Sequence, residues 1–519
     1  MRMIAPSILA FLAASSLGAS AQEHQPLTEL PPAKSPMVRF TSPTPFEPKE
    51  KIPLEHHQYI KNMKVLGRLF AGTDAGEKLQ FMVRGNRRYL LQGQASGTKI
   101  IEVSDPLKPE IVNSDATPEC KGPCQQLQVA YHEASGRWLM IQSSQKYDLD
   151  QRGLRGIFIY DVSDPAAVKL LSKWSVDGGS PDRVIQTGSG PHRNYWDGGR
   201  YLYLTTAADN NFYFEPKNPT VKTIGYVGYK HGIQILDISD PTQPKLVTNI
   251  HYPGQRVDEE EARNVEPWTD DLAYTMMHGP LYVPQRLESG GKLGFIGGGA
   301  FGLLIYDLTN LQAPRLLSEW RPTPYEPGPA IAAHTVDISR LDRGFVVLTP
   351  EALFSGCVTP RNGSFIIDVT DPAKPKELAR LPRPVPPAAA PYKDFCQRAG
   401  RFSPHNPPHL KAPGKVDPNF LCHTYFNAGL QCFDIKDPRR PTIAAYFVPE
   451  QPEGQLGDGA LAKHSRTVDE VFIEWDRKLI WVATDTGIYL LSAPALGKPN
   501  LAPMPVTQWA LPSINVGAK

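Results

Sequence analysis

Gly232-Ile-Gln-Ile-Leu-Asp-Ile-Ser-Asp-Pro-Thr-Gln-Pro-Lys-Leu-Val247 decides the fold. A glycine opens the stretch, an apolar run follows, an Asp-Pro turn interrupts it, and a second apolar run begins after another proline. The glycine permits a close or left-handed backbone where a strand starts. The Asp side chain can fold back onto the backbone two residues on, and Pro fixes φ, so the turn is chemically specified. Two short apolar runs joined in this way read as neighbouring antiparallel strands.

Versions of the stretch recur six more times. They begin at Gly97 (Thr-Lys-Ile-Ile-Glu-Val-Ser-Asp-Pro106), Gly156, Gly302, Gly363, Gly429 and Gly487, the last degenerate, and Asn310 stands in the fourth where Asp is usual. Successive glycines lie roughly 58 to 76 residues apart, in the range of propeller blades with loop insertions. An apolar strand precedes each glycine, such as Tyr201-Leu-Tyr-Leu or Phe345-Val-Val-Leu, and another follows each Asp-Pro, such as Lys245-Leu-Val-Thr-Asn-Ile. With one more strand ahead of these, each unit holds four. The reading is all-β: a seven-bladed β-propeller of four-stranded antiparallel blades, which leaves only short protected edges.

At this point the chain resembles the LVIVD-repeat family, whose name describes segments of the Ile-Leu-Asp-Ile-Ser-Asp-Pro type seen here. The resemblance covers about Met63 to Pro512 and implies a propeller without implying a reaction. Met63-Lys-Val-Leu-Gly-Arg-Leu-Phe70 is expected to complete the last blade and close the ring, with the tail around Pro505-Val-Thr-Gln-Trp509 competing for that edge.

The remaining features bound the setting. Residues 1–21 have a short positive start, an apolar centre and small residues at Ala19-Ser20-Ala21, and read as a secretory signal peptide. Residues 22–53 are Pro-rich and read as an extended leader, and 54–519 as one propeller domain. No later run reaches the roughly 18 apolar residues of a membrane helix. The expected location is the periplasm or the exterior. Six cysteines fit an oxidising compartment. Cys422 and Cys432 fall on adjacent strands, Cys120 and Cys124 share a short loop, and Cys357 and Cys396 would close a longer one; proximity favours these pairs. Lys+Arg 55 against Asp+Glu 53 leaves no basic excess for nucleic acid. No phosphate-cradling loop, dinucleotide fingerprint or Gly-x-Ser-x-Gly elbow is present in a strand–helix context.

Candidate chemistry lies outside the repeats. In propellers the first strand of each blade lines the central channel, and its start shares a face with the second-to-third-strand loops and the inter-blade loops. His192, His278, His334, His405 and His464 each fall just before or at the start of a first strand, one per blade in blades three to seven. Five imidazoles in phase at one channel mouth are a preorganised transition-metal site, for Cu, Fe or Zn. The placement is similar to that in the carotenoid-cleaving oxygenases, propellers that hold iron through axial histidines, and the copper-dependent methanethiol oxidases of the selenium-binding family offer a second propeller parallel. Blades one and two lack such a His, which leaves one side open, as catalytic metals require. His409 is a substitute ligand for His405, while His423 and His231 read as structural or supporting. Long loops on the same face carry Phe212, Tyr213, Tyr226, Tyr229 and Trp268, which either wall a substrate pocket or pack the loops down, and Arg193 is placed to meet an anionic substrate. Two functions follow: a metal-dependent oxidoreductase or lyase acting on a small molecule, or a non-catalytic propeller that binds a protein or glycan on this face.

Overall fold

The seven repeats fold into seven antiparallel sheets. The computed structural model describes residues 58–70, 78–94, 97–120, 124, 126–146, 152–212, 230–269, 273–322, 330–353, 357, 363–451, 467–485 and 487–510. The first blade is built from Lys78–Arg84, Arg87–Gln94, Gly97–Glu102 and Glu110–Asn113, ordered from the axis outward. The second, third and fifth repeat this order with four strands each, and the fourth has three strands plus an isolated inner bridge, Tyr282 to Phe295. In the sixth, the inner edge is made by His405 and Asn406, which exchange backbone hydrogen bonds with Thr424 at 2.8 and 3.0 Å. The chain is therefore an all-β, seven-bladed propeller, as its repeats predict.

The turn chemistry is as the sequence requires. In the organising repeat the Asp237 carboxylate accepts from the Ser239 backbone N–H at 2.9 Å, and Asp240 accepts from that of Thr242 at 2.9 Å. Asn310, the substitute in the fourth blade, performs the same service for Gln312 at 3.0 Å. Both polar side chains of the motif thus fold back two residues on.

The last blade is composite. Val468–Glu474, Leu479–Thr484 and Gly487–Ser492 form its inner strands, and Lys64–Leu69 from the start of the chain pairs along Gly487–Ser492 as the outermost. The segment beginning at Met63 closes the ring, as expected. The competing tail goes elsewhere: Trp509 bridges to Pro413, and its ring packs against Phe81 and Trp138. A further strand, Tyr59–Lys61, extends the sixth blade outward against Thr442–Val448.

The six cysteines pair as Cys120–Cys124, Cys357–Cys396 and Cys422–Cys432. Among the described residues no helix is long and apolar enough to cross a membrane. The expected signal peptide (1–21) and leader (22–53) lie outside the described residues.

Candidate functional site

Four of the five in-phase histidines converge at one mouth of the channel. His192 enters just ahead of Arg193–Tyr195, its backbone N–H bonded to Thr205. His278 arrives on the irregular inner edge of the fourth blade, its N–H bonded to Gly297. His334 lies in Ala330–Asp337 where the pairing register shifts between Ile331 and Thr335, and such a bulge re-aims a side chain out of the regular alternation. His405 starts the inner edge of the sixth blade. The fourth and fifth blades meet closely here: a Cβ on Gly297 would lie 2.8 Å from the carbonyl oxygens of Ala333 and His334. His464 lies outside the described residues.

The rings form an arc. Centroids are 4.3 Å apart for His192 and His278, 4.4 Å for His278 and His334, and 4.5 Å for His334 and His405. The Nε2 atoms of His192 and His278 are 2.8 Å apart. Behind the arc, Nδ1 of His192 bonds the Gln145 side chain, Nδ1 of His334 bonds Thr335 Oγ1 at 2.6 Å, and Nδ1 of His405 meets the Asp469 carboxylate at 2.8 Å. In these three the ring nitrogen held from behind leaves Nε2 toward the inside, the arrangement that orients histidine ligands in metal sites; Nδ1 of His278 has no such partner among the described residues.

A carboxylate and two guanidinium groups complete the cluster. Glu351, at the end of Phe345–Ala352, has Oε2 3.2 Å from His334 Nε2 and 4.0 Å from His278 Nε2, with Oε1 3.8 Å from His405 Nε2. Arg401 donates to Glu351 at 2.6 Å. Donor atoms of His278, His334 and Glu351 all lie within 4.8 Å of one another, and all three residues are buried. Among the described residues a second such group, Cys357, Asp394 and Cys396, has both sulfurs consumed in a disulfide. Arg193 donates from Nη2 to His334 Nε2 at 2.9 Å. Because a guanidinium can only donate, His334 Nε2 must offer its lone pair, and its proton sits on Nδ1, facing Thr335. Burial, then the Arg193 charge, holds the His278 imidazolium well below the ordinary histidine range; burial, then His278 and His405, does the same for His334. Both rings are neutral near pH 7, the form that can donate to a cation.

The other predicted residues take different posts. His231 bonds Ser189 Oγ at 2.8 Å, with its ring 6.4 Å from that of His192, so it stands behind the arc. His409 lies against the Gln80 side chain on the wall of the channel cavity. His423 packs beside Phe433. Phe212 lies under the Arg256 guanidinium, and Trp268 packs on Phe301 and donates to the Pro253 carbonyl. Both therefore hold loops down, and neither lines the channel cavity described below. Tyr213, Tyr226 and Tyr229 lie outside the described residues. Glu351, Asp469 and Arg401 were not anticipated. Glu351 had one available signal, its position where a second strand ends on the histidine face.

Beneath the arc the channel is polar. Lys78 pairs with Glu470 at 2.8 Å, and Asn406 donates to the same carboxylate at 3.0 Å. Burial, partly offset by Lys78, pushes the Glu470 carboxyl up to about 7. A family model for the LVIVD repeat matches residues 225–251, and no curated protein matches the chain significantly.

Proposed function

We propose that this chain, an LVIVD-repeat seven-bladed propeller, binds a transition metal ion (Cu, Fe or Zn) at the histidine mouth of its channel. The observation that carries the proposal is the arc of four buried imidazoles whose Nε2 atoms face inward while Nδ1 is held from behind in three of them. His192, His278, His334 and His405 would be the nitrogen ligands and Glu351 the oxygen ligand, a donor set suited to these metals. Such a metal supplies Lewis-acid or redox chemistry. The protein's share would be to hold His278 and His334 neutral, to keep Asp469 and Thr335 on the outer ring nitrogens of His405 and His334, and to withdraw Arg193 from His334. The reaction class we infer is that of an oxidoreductase or lyase working on a small molecule that enters from the long-loop face. Three disulfides support a location outside the cytoplasm, periplasmic or secreted.

One observation favours a second reading. Arg193 already supplies a cation to His334 Nε2, so the cluster would be complete as a structural core of a non-catalytic propeller that binds a protein or glycan on the same face. Metal analysis separates the two. Protein made without a His-tag, stripped with chelator and titrated with Cu, Fe or Zn, should take up one ion per chain. His334→Ala and Glu351→Gln should each lower that affinity at least tenfold. Folded protein that retains less than a tenth of an equivalent of all three metals overturns the first reading.

A further inference from the structure

The channel holds a small cavity of about 20 Å³ directly beneath the histidine arc, with Lys78, Gln126, Arg193, Asn194, Tyr282 and Glu470 among its walls. Arg193 is 5% exposed. Its Nη1 donates to Gln126 Oε1 at 3.2 Å and its Nη2 to His334 Nε2 at 2.9 Å, two neutral acceptors. The neighbouring carboxylates are engaged elsewhere: Glu351 by Arg401 at 2.6 Å, and Glu470 by Lys78 at 2.8 Å. Among the described residues Arg193 forms no ion pair, and its Nε has no hydrogen-bond partner. A guanidinium cannot shed its proton, and a charge this deeply buried is ordinarily paired. Lys78 lies on Glu470 and the Asp469 carboxylate lies on His405, so no carboxylate among the described residues sits at ion-pair distance from Arg193 on the cavity wall.

We propose that this cavity binds a small planar oxyanion of the formate or nitrite class, held by Arg193 through its unpartnered Nε–H. Charge calls for an anion. The planar fork of the guanidinium matches two coplanar oxygens. Size sets the limit: one water needs about 10–15 Å³, so about 20 Å³ holds one to two water-sized groups, which favours the smallest two-oxygen anions over larger ones. The proposal deepens the metal reading, since the same Arg193 touches His334, and its test is run on metal-free protein so that failure of either can be told from failure of the other.

The experiment is isothermal titration of chelator-stripped, untagged protein with sodium formate, nitrite, acetate and sulfate at constant ionic strength. Formate or nitrite should bind saturably at one site, and acetate and sulfate at least tenfold more weakly. Arg193→Lys, which keeps the charge and loses the fork, should weaken formate or nitrite at least tenfold, and Arg193→Met should abolish binding in protein that retains its strand circular dichroism. Absence of saturable binding by the unaltered chain, equal binding of acetate, or binding undiminished in folded Arg193→Met overturns the proposal. Should Arg193→Met fail to fold, the comparison of formate with acetate on the unaltered chain decides. Metal uptake is measured separately on the same preparation.

Discussion

The imidazole of His423 is wholly buried, and neither of its ring nitrogens has a hydrogen-bond partner among the described residues. Burial holds it down to about 4, with nearby Asp337 opposing, and burial then Lys230 does the same for His231. In the unfolded chain both titrate near 6.5. Between about 4 and 6.5 the unfolded chain therefore binds more protons than the native one, and stability falls as pH falls through that window by about 1.4 kcal/mol per unit for each histidine. His423→Leu should remove one such contribution and relieve an unpartnered polar group, so its urea midpoint should exceed that of the unaltered chain by a margin that widens from pH 7.5 to pH 5. A midpoint lower at both pH values would show that the imidazole is stabilising. The histidines of the mouth were legible because they recur in phase ahead of inner strands, and phase survives in sequence. Glu351, Asp469 and Arg401 recur in no such way. A carboxylate at a strand end resembles any surface carboxylate until the ring brings it within 3.2 Å of His334.

At the level of the element, the Asp-Pro turn was legible because its chemistry is local: the side chain bonds a backbone N–H two residues on, within a span the sequence displays. Asn310 tests this. Its Oδ1 takes the Gln312 N–H at 3.0 Å, as Asp240 takes that of Thr242. Asn310→Asp should leave the unfolding midpoint within about 0.5 kcal/mol, whereas Asn310→Ala should cost about 0.5–1.5 kcal/mol, the worth of one hydrogen bond. Equal stability of the two variants would remove the turn cap from the account. The bulge that carries His334 was not legible, because it is set by the neighbouring blade. Gly297 lies against it, and a Cβ there meets two backbone carbonyls at 2.8 Å. Gly297→Ala must displace that backbone. We expect a loss of about 1–3 kcal/mol, as for overpacking, together with weaker metal uptake. Unchanged uptake in a destabilised variant would show that the bulge does not position His334.

For the whole molecule the question is how the ring holds where the last blade meets the first. Lys64–Leu69 supplies the outer strand of the last blade, a role readable from an apolar strand that had no blade of its own. The inner seam was not readable, since it joins residues nearly 390 positions apart. There Glu474 accepts from Arg88 at 2.6 Å, from Arg477 at 2.7 and 2.9 Å, and from the Trp481 indole at 2.8 Å, while Arg477 donates onward to the carbonyls of Val103 and Ser104. Glu474, Arg88 and Arg477 are fully buried. Burial pushes the Glu474 carboxyl up, but Arg477 and Arg88 outweigh it and hold it below its usual range. A depressed carboxyl contributes stability that is present above its unfolded value, about 4.3, and is lost as pH falls through the folded value. Glu474→Gln takes from Arg477 the carboxylate it bonds, while Arg88 keeps Asp476 at 2.6 Å, so it should cost about 3 kcal/mol at pH 7, the lower end for breaking a buried pair. The same variant should lose the part of the acid-unfolding limb that lies below pH 4.3 and keep the histidine limb between 4 and 6.5. Urea midpoints measured from pH 7 to pH 3 check both claims. A variant as stable as the unaltered chain at pH 7 would mean that strand pairing alone closes the ring.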